Sequence, residues 1–284
     1  MSVDHYENFP VASLLCPPAL RPAVTAIYHF ARTADDIADE GQDSPTQRRT
    51  TLANYRAALQ ACGEGRLPGN AWPQVFGPLA LTIARHRLPT EHLHALLDAF
   101  DQDCGNPRHA DRVQLLDYCR RSANPVGRLV LHLAGVQDAM SLQQSDAICT
   151  ALQLINCWQD MSIDLPRGRH YVPVADAANH GLSLDLLAAG QDSQASQALL
   201  RELCQWAETL MRQGAPLAHK LPGRLGWELR LVVQGGLRIL EKVAAMEYRT
   251  LARRPRLGAL DGPVLLWRAL RMPTRFGTRR AAWP

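Results

Sequence analysis

The chain has 284 residues, 46% of them hydrophobic and 20% charged, with a mean hydropathy of −0.19 and a formal charge of +4. That length is ample for one large domain or two small ones, and so small a charge gives no reason to expect a nucleic-acid partner. Seven cysteines with no C-x-x-C pair and no Cys/His cluster at zinc spacing argue against a zinc module and read as free thiols in a reducing compartment.

No basic stretch followed by an apolar run opens the chain, as a signal peptide would. The uncharged window 147–159 is too short and too polar to span a bilayer, so a cytoplasmic protein is expected. Lys220 and Lys242 are the only lysines. An arginine-dominated positive charge suits bidentate phosphate contacts, although genome composition gives the same bias.

Hydrophobic periodicity and Pro/Gly punctuation predict helices over 20–40, 45–62, 74–86, 90–103, 111–122, 125–136, 141–164, 193–219, 224–252 and 261–270. Gly41 reads as the residue just past the first helix, and Pro166 as the end of the seventh. Stretches 64–72 and 166–192 read as irregular. With no strand ladder, internal repeat or linker, the expectation is a single all-α domain over 1–284, of which 270–284 form a mobile basic tail.

In the first helix, "AIYHFARTADDIADEG" places Tyr28, Arg32, Asp35 and Asp39 at i, i+4, i+7 and i+11, one narrow stripe at about 100° per residue. Val24, Ile27, Ala31, Ala34 and Ala38 form the adjoining face, so the stripe borders the core; Asp36 falls to the side. A solvated acidic face with Arg32 paired to Asp35 or Asp36 is the alternative. In "DYCRRSANPVGRLVLHL", Tyr118 precedes Ala123, Asn124, Pro125, Val126 and Gly127, which suggests either a kink that leaves room for a long ligand or an ordinary turn. The seventh helix, "ALQLINCWQDMSIDLPRGRHYVP", is apolar in nearly every direction yet carries Gln153, Asn156, Asp160 and Asp164 on one stripe. Arg167, Arg169 and Tyr171 follow.

A buried carboxylate is costly unless it is neutralised. Two D-x-x-x-D pairs facing each other would bring four carboxylates to one cavity and raise each other's pKa unless cations intervene. Oxygen ligands without His or Cys suit Mg²⁺ bridging to a diphosphate, and arginine forks suit its oxygens. A paired-carboxylate glycosidase needs two acids, not two helical pairs. A metal phosphohydrolase would be expected to carry histidine beside the acids, and a scaffold would not need buried pairs. His29, His132 and His170 read as structural.

On these stretches the chain resembles the squalene/phytoene synthase family, the trans-isoprenyl head-to-head synthases. "YHFARTADDIADE" matches the first aspartate motif and "QLINCWQDMSIDLPRGRHYVP" the second, with the tyrosine-to-glycine stretch between them. The resemblance implies an isoprenoid-synthase helical fold with a central cavity. It also implies Asp35, Asp39, Asp160 and Asp164 as Mg²⁺ ligands, with Tyr28, Arg32, Gln153, Asn156, Arg169 and Tyr171 at the diphosphate end. Tyr118, Val126 and Gly127 would contact substrate.

"ENFPVAS", "SANPVGR" and "QLINCWQD" are similar to the hydroxysqualene-forming branch of the bacterial hopanoid pathway; condensing relatives tend to read "QLTNILRD" and "AGTVG". Gln159 stands where those relatives carry arginine. The resemblance therefore implies loss of diphosphate from presqualene diphosphate, rearrangement and capture by water, with a partner enzyme supplying that substrate. Head-to-head condensation of two prenyl diphosphates is the alternative. No dinucleotide fingerprint is present, in keeping with no NADPH. The tail "RMPTRFGTRRAAWP" reads first as a solvated terminus and second as a peripheral contact with an anionic inner-membrane surface.

Overall fold

The computed structural model describes residues 16–66, 69 and 71–274; the "ENFPVAS" segment and tail residues 275–284 lie outside them. Four helices come first among the described residues: α1 (Arg21–Asp39), α2 (Pro45–Gly63), α3 (Pro73–His86) and α4 (Thr90–Asp103). Their boundaries follow from capping chemistry. Ser44 and Gln47 form a reciprocal capping box at the start of α2, with Pro45 pre-set for the first turn. Past α1, Gly41 adopts φ +82°, the left-handed conformation that glycine reaches without penalty. These helices close on an aromatic core in which Tyr55 lies 5.2 Å from Phe30 and 4.7 Å from Phe76, centroid to centroid. The Tyr55 hydroxyl donates to the Phe30 carbonyl at 3.0 Å, so its one polar group is satisfied.

A second core gathers around α7 (Ala139–Gln159), packed against α5 (Arg112–Ser122), α6 (Asn124–Leu133), α11 (Gln194–Gly214), α12 (Leu217–Lys220) and α13 (Gly223–Ala245). Two glycines set this close packing. A Cβ on Gly214 would lie 2.4 Å from the Gln144 carbonyl oxygen, and one on Gly127 would lie 2.3 Å from Ser145 Oγ. The remaining elements are α8 (Met161–Asp164), a 3₁₀ turn (Leu165–Arg167), α9 (Val174–Asn179), α10 (Leu184–Ala188) and α14 (Asp261–Leu270).

The described residues are helical and contain no strand, as expected, but several boundaries differ. The seventh helix does not run unbroken to 164: it ends at Gln159, and Asp160 (φ −98°, ψ 11°) turns the chain into α8. Pro166 therefore sits inside the 3₁₀ turn instead of ending that helix. The 193–219 expectation divides at Ala215–Pro216, and 224–252 stops at Ala245, where Glu247 and Tyr248 take positive φ. Two short helices occupy the stretch read as irregular; at five and six residues they are too short to show a period. No described helix is long and apolar enough to cross a membrane.

Candidate active site

The stripe on α7 explains itself once the helix is surrounded. Ala151, Leu154, Ile155, Cys157 and Trp158 are buried, whereas Leu152, Gln153, Asn156 and Asp160 remain accessible, Asn156 the most so. A helix enclosed by several others that keeps one accessible line must face an opening. On α1 the equivalent line is Val24, Tyr28, Arg32, Asp35 and Asp39, beside buried Ile27, Ala34 and Ala38.

Arg169 joins the two lines. Its guanidinium lies 2.8 Å from Asp39 Oδ2 on α1 and 3.8 Å from Asp164 Oδ1 on α8. The intervening 3₁₀ turn and Gly168 (φ +76°) bring the arginine back over Asp164, whose carbonyl accepts the Arg169 N–H at 3.0 Å. Arg32 Nη1 holds Asp35 at 2.9 Å and its Nη2 holds Asp36 at 2.6 Å. Arg32 thus engages both acids that the sequence offered as partners.

The four aspartates do not meet at one point. Among the described residues, no three His, Cys, Asp or Glu side chains are grouped to hold an ion by themselves. Arg169 stands between the pairs, and Asp160 is gripped by Arg254, whose Nε and Nη2 reach its two carboxylate oxygens. Gln159 supports that grip: its Nε2 donates to the Pro255 carbonyl at 2.7 Å, and its side chain is fully buried. Gln159 therefore points away from the opening and anchors the loop that carries Arg254.

Asp103, at the end of α4, completes the acidic group. It accepts a hydrogen bond of 2.9 Å from the Tyr118 hydroxyl. Tyr118 is buried and packs 5.8 Å from Tyr171 and 5.4 Å from His109, centroid to centroid. At the α5–α6 junction only Ala123 separates the helices, with Pro125 in the first turn of α6. Thr150 of α7 donates to Asn124 Oδ1 at 2.9 Å and ties the junction down. Val126 is 39% exposed there, whereas Gly127 faces Ser145 and Cys149 of α7, so its smallness serves helix packing.

Burial sets the electrostatics. Asp35 is raised to about 7, first by burial and then by repulsion from Asp39, against the pull of Arg32. Asp103 rises to about 7 by burial, although its Tyr118 hydrogen bond favours the charged form and Asp39 disfavours it. Asp164 rises to about 6 through burial and Asp160, with Arg169 opposing. Burial also raises Asp39 and Asp160, offset by Arg169 and Arg254 respectively. Without a bound cation, burial thus favours protonation of these acids, and a cation binding among them would favour their charged forms.

Asp103 and Arg254 carried no signal in the two motifs. The run "DAFDQD" offers three acids on α4 with nothing to single out Asp103, and Arg254 lies 94 residues from Asp160.

The described residues thus form an all-helical fold in which two aspartate pairs border one arginine. The profile described as Squalene/phytoene synthase matches residues 3–261, and the chain belongs to that family. It is 34% identical to a hydroxysqualene synthase of Sinorhizobium fredii over 84% of this chain and 79% of the relative. It is 37% identical to the hydroxysqualene synthase of Rhodopseudomonas palustris over 80% of this chain and 75% of that one. A presqualene diphosphate synthase of Zymomonas mobilis is 29% identical over 94% of this chain and 89% of its own length. The crystal structure of a squalene synthase HpnC from Alicyclobacillus acidocaldarius superposes with a TM-score of 0.78 at 36% identity, covering 86% of this chain and 90% of that one.

Proposed function

We propose that this enzyme is a hydroxysqualene synthase: it removes diphosphate from presqualene diphosphate and delivers water to the rearranged carbocation. The observation that carries the reading is the Arg169 bridge between Asp39 and Asp164, because it puts both aspartate pairs at one opening. The choice of half-reaction draws on "SANPVGR" and "QLINCWQD" and on the hydroxysqualene synthases at 34% and 37% identity.

The donor set suits Mg²⁺. It is oxygen-only, paired about one helical turn apart, and raised in pKa by burial in a way that a bound cation would reverse. Asp35 with Asp39, and Asp160 with Asp164, would each hold metal as a pair with substrate oxygens completing the set, and the metal when bound would supply positive charge to the departing diphosphate. Arg169 and Arg32 take its oxygens through planar guanidinium forks. Stabilising charge as it develops lowers the ionisation barrier. The C–O bond breaks with both electrons leaving on diphosphate, and the C30 cation rearranges. Water then forms the new C–O bond and loses a proton, so no reductant is needed. Tyr118, Tyr171 and His109 give the acidic end an aromatic wall that limits early quenching.

Incubation with presqualene diphosphate, Mg²⁺ and ¹⁸O-labelled water should yield hydroxysqualene carrying the label without NADPH. Consumption of farnesyl diphosphate with accumulation of presqualene diphosphate would assign the condensing step instead. Squalene formed only with NADPH would assign a reductive synthase.

A further inference from the structure

We propose that the outer face of α14 is a docking surface for an anionic lipid bilayer. Pro263, Leu266, Trp267 and Leu270 fall at i, i+3, i+4 and i+7, one face of the helix, while Asp261 and Ala269 are buried on the other. Leu266, Trp267 and Leu270 are 53%, 54% and 57% exposed, and Leu260, just before the helix, is 89% exposed. Other large exposed hydrophobics among the described residues, such as Leu81, Met140 and Leu186, are scattered along the chain. A contiguous apolar stripe on a folded surface marks a contact site.

Charge decides the kind of partner. Behind the stripe, α11, α13 and α14 with the residue after it bring five cations together, Arg212, Arg238, Lys242, Arg268 and Arg271, against three carboxylates, Glu208, Glu241 and Asp261. The Arg271 guanidinium lies 3.9 Å from the Trp267 ring centroid, so cation and indole share the rim of the stripe. Both border an open cavity of about 260 Å³ that Arg212, Arg268 and Pro273 also line, together with Glu208 and Glu241, which are paired to Arg212 and Arg268. Leucines below, an indole at the boundary and arginines beside it make up an interfacial helix. A second copy of this chain would set one arginine rim against another, whereas an anionic membrane answers both stripe and rim. The link to function rests on the reading above: a C30 substrate and its alcohol product both partition into bilayers.

Co-sedimentation of the full chain, without substrate, with vesicles of phosphatidylcholine alone or mixed with phosphatidylglycerol tests the proposal. Binding to the mixed vesicles, weakened by salt, is expected to fall at least about ten-fold in L266S/W267S and several-fold in R271E. Brominated lipid should quench wild-type fluorescence more than that of W267F. R271E leaves the apolar face intact and so decides the matter should the double variant melt early. Equal binding to both vesicle types, unchanged binding in well-folded variants, or a concentration-dependent dimer lost in L266S would overturn it. Turnover in detergent is a separate readout, so failure of the docking surface and failure of the hydroxysqualene assignment are distinguishable.

Discussion

Asp35 and Asp39 ride on one unbroken helix, and Arg32, which restrains the first of them, comes from the same turns of α1. Asp160 and Asp164 straddle the break between α7 and α8, and Arg254, which holds Asp160, arrives from 94 residues away. The first pair is therefore set by local periodicity. The second depends on the tertiary fold, through the buried Gln159 that anchors the loop of Arg254. Two motifs with the same spacing thus differ in what holds them, and Arg169 couples them.

The largest expected effect falls on both motifs alike. Asp35→Asn and Asp160→Asn keep the shape and remove the charge, and each should lower Mg²⁺-dependent diphosphate release on the order of 10²–10³-fold. Near-wild-type release from either variant would remove that aspartate from the site.

Stability should separate the motifs. Arg254→Met leaves the carboxylate of Asp160 without its buried partner, and urea unfolding should show a loss of about 3 kcal/mol. Arg32→Met removes a partly buried pair formed within one helix and should cost less, about 1 kcal/mol. Equal losses would mean that the second motif is no more dependent on distant contacts than the first.

That difference also explains what could be read in advance. The ten long helices and the first stripe follow from a 3.6-residue period, and Arg32, Asp35 and Asp39 lie together because one helix places them. Nothing within "QLINCWQD" announces the turn at Asp160. Continuous apolar residues there give helix signal on every side, and the break is stabilised by Arg254. Asp103 was silent for the same reason: its tie to Tyr118 crosses between α4 and α5.

The pH dependence of the metal-free protein should report the excess acid. Carboxyls raised in the folded state, Asp35 and Asp103 to about 7 and Asp164 to about 6, make the native chain bind more protons than the unfolded one above the usual carboxylate range. Stability should then fall as pH rises through that window to 7. Melting temperature measured with and without Mg²⁺ and inorganic diphosphate should show this slope and its flattening by the ligands. A smaller effect concerns Tyr118→Phe, which removes the hydrogen bond to Asp103 and should cost about 1 kcal/mol in urea unfolding, with binding of inorganic diphosphate little changed.

Whether the two motifs form one site can be measured directly by calorimetric titration of inorganic diphosphate in the presence of Mg²⁺. The wild-type chain should bind, and both Asp35→Asn/Asp39→Asn and Asp160→Asn/Asp164→Asn should lose that binding while remaining folded. Undiminished affinity in either double variant would contradict a single site shared across Arg169.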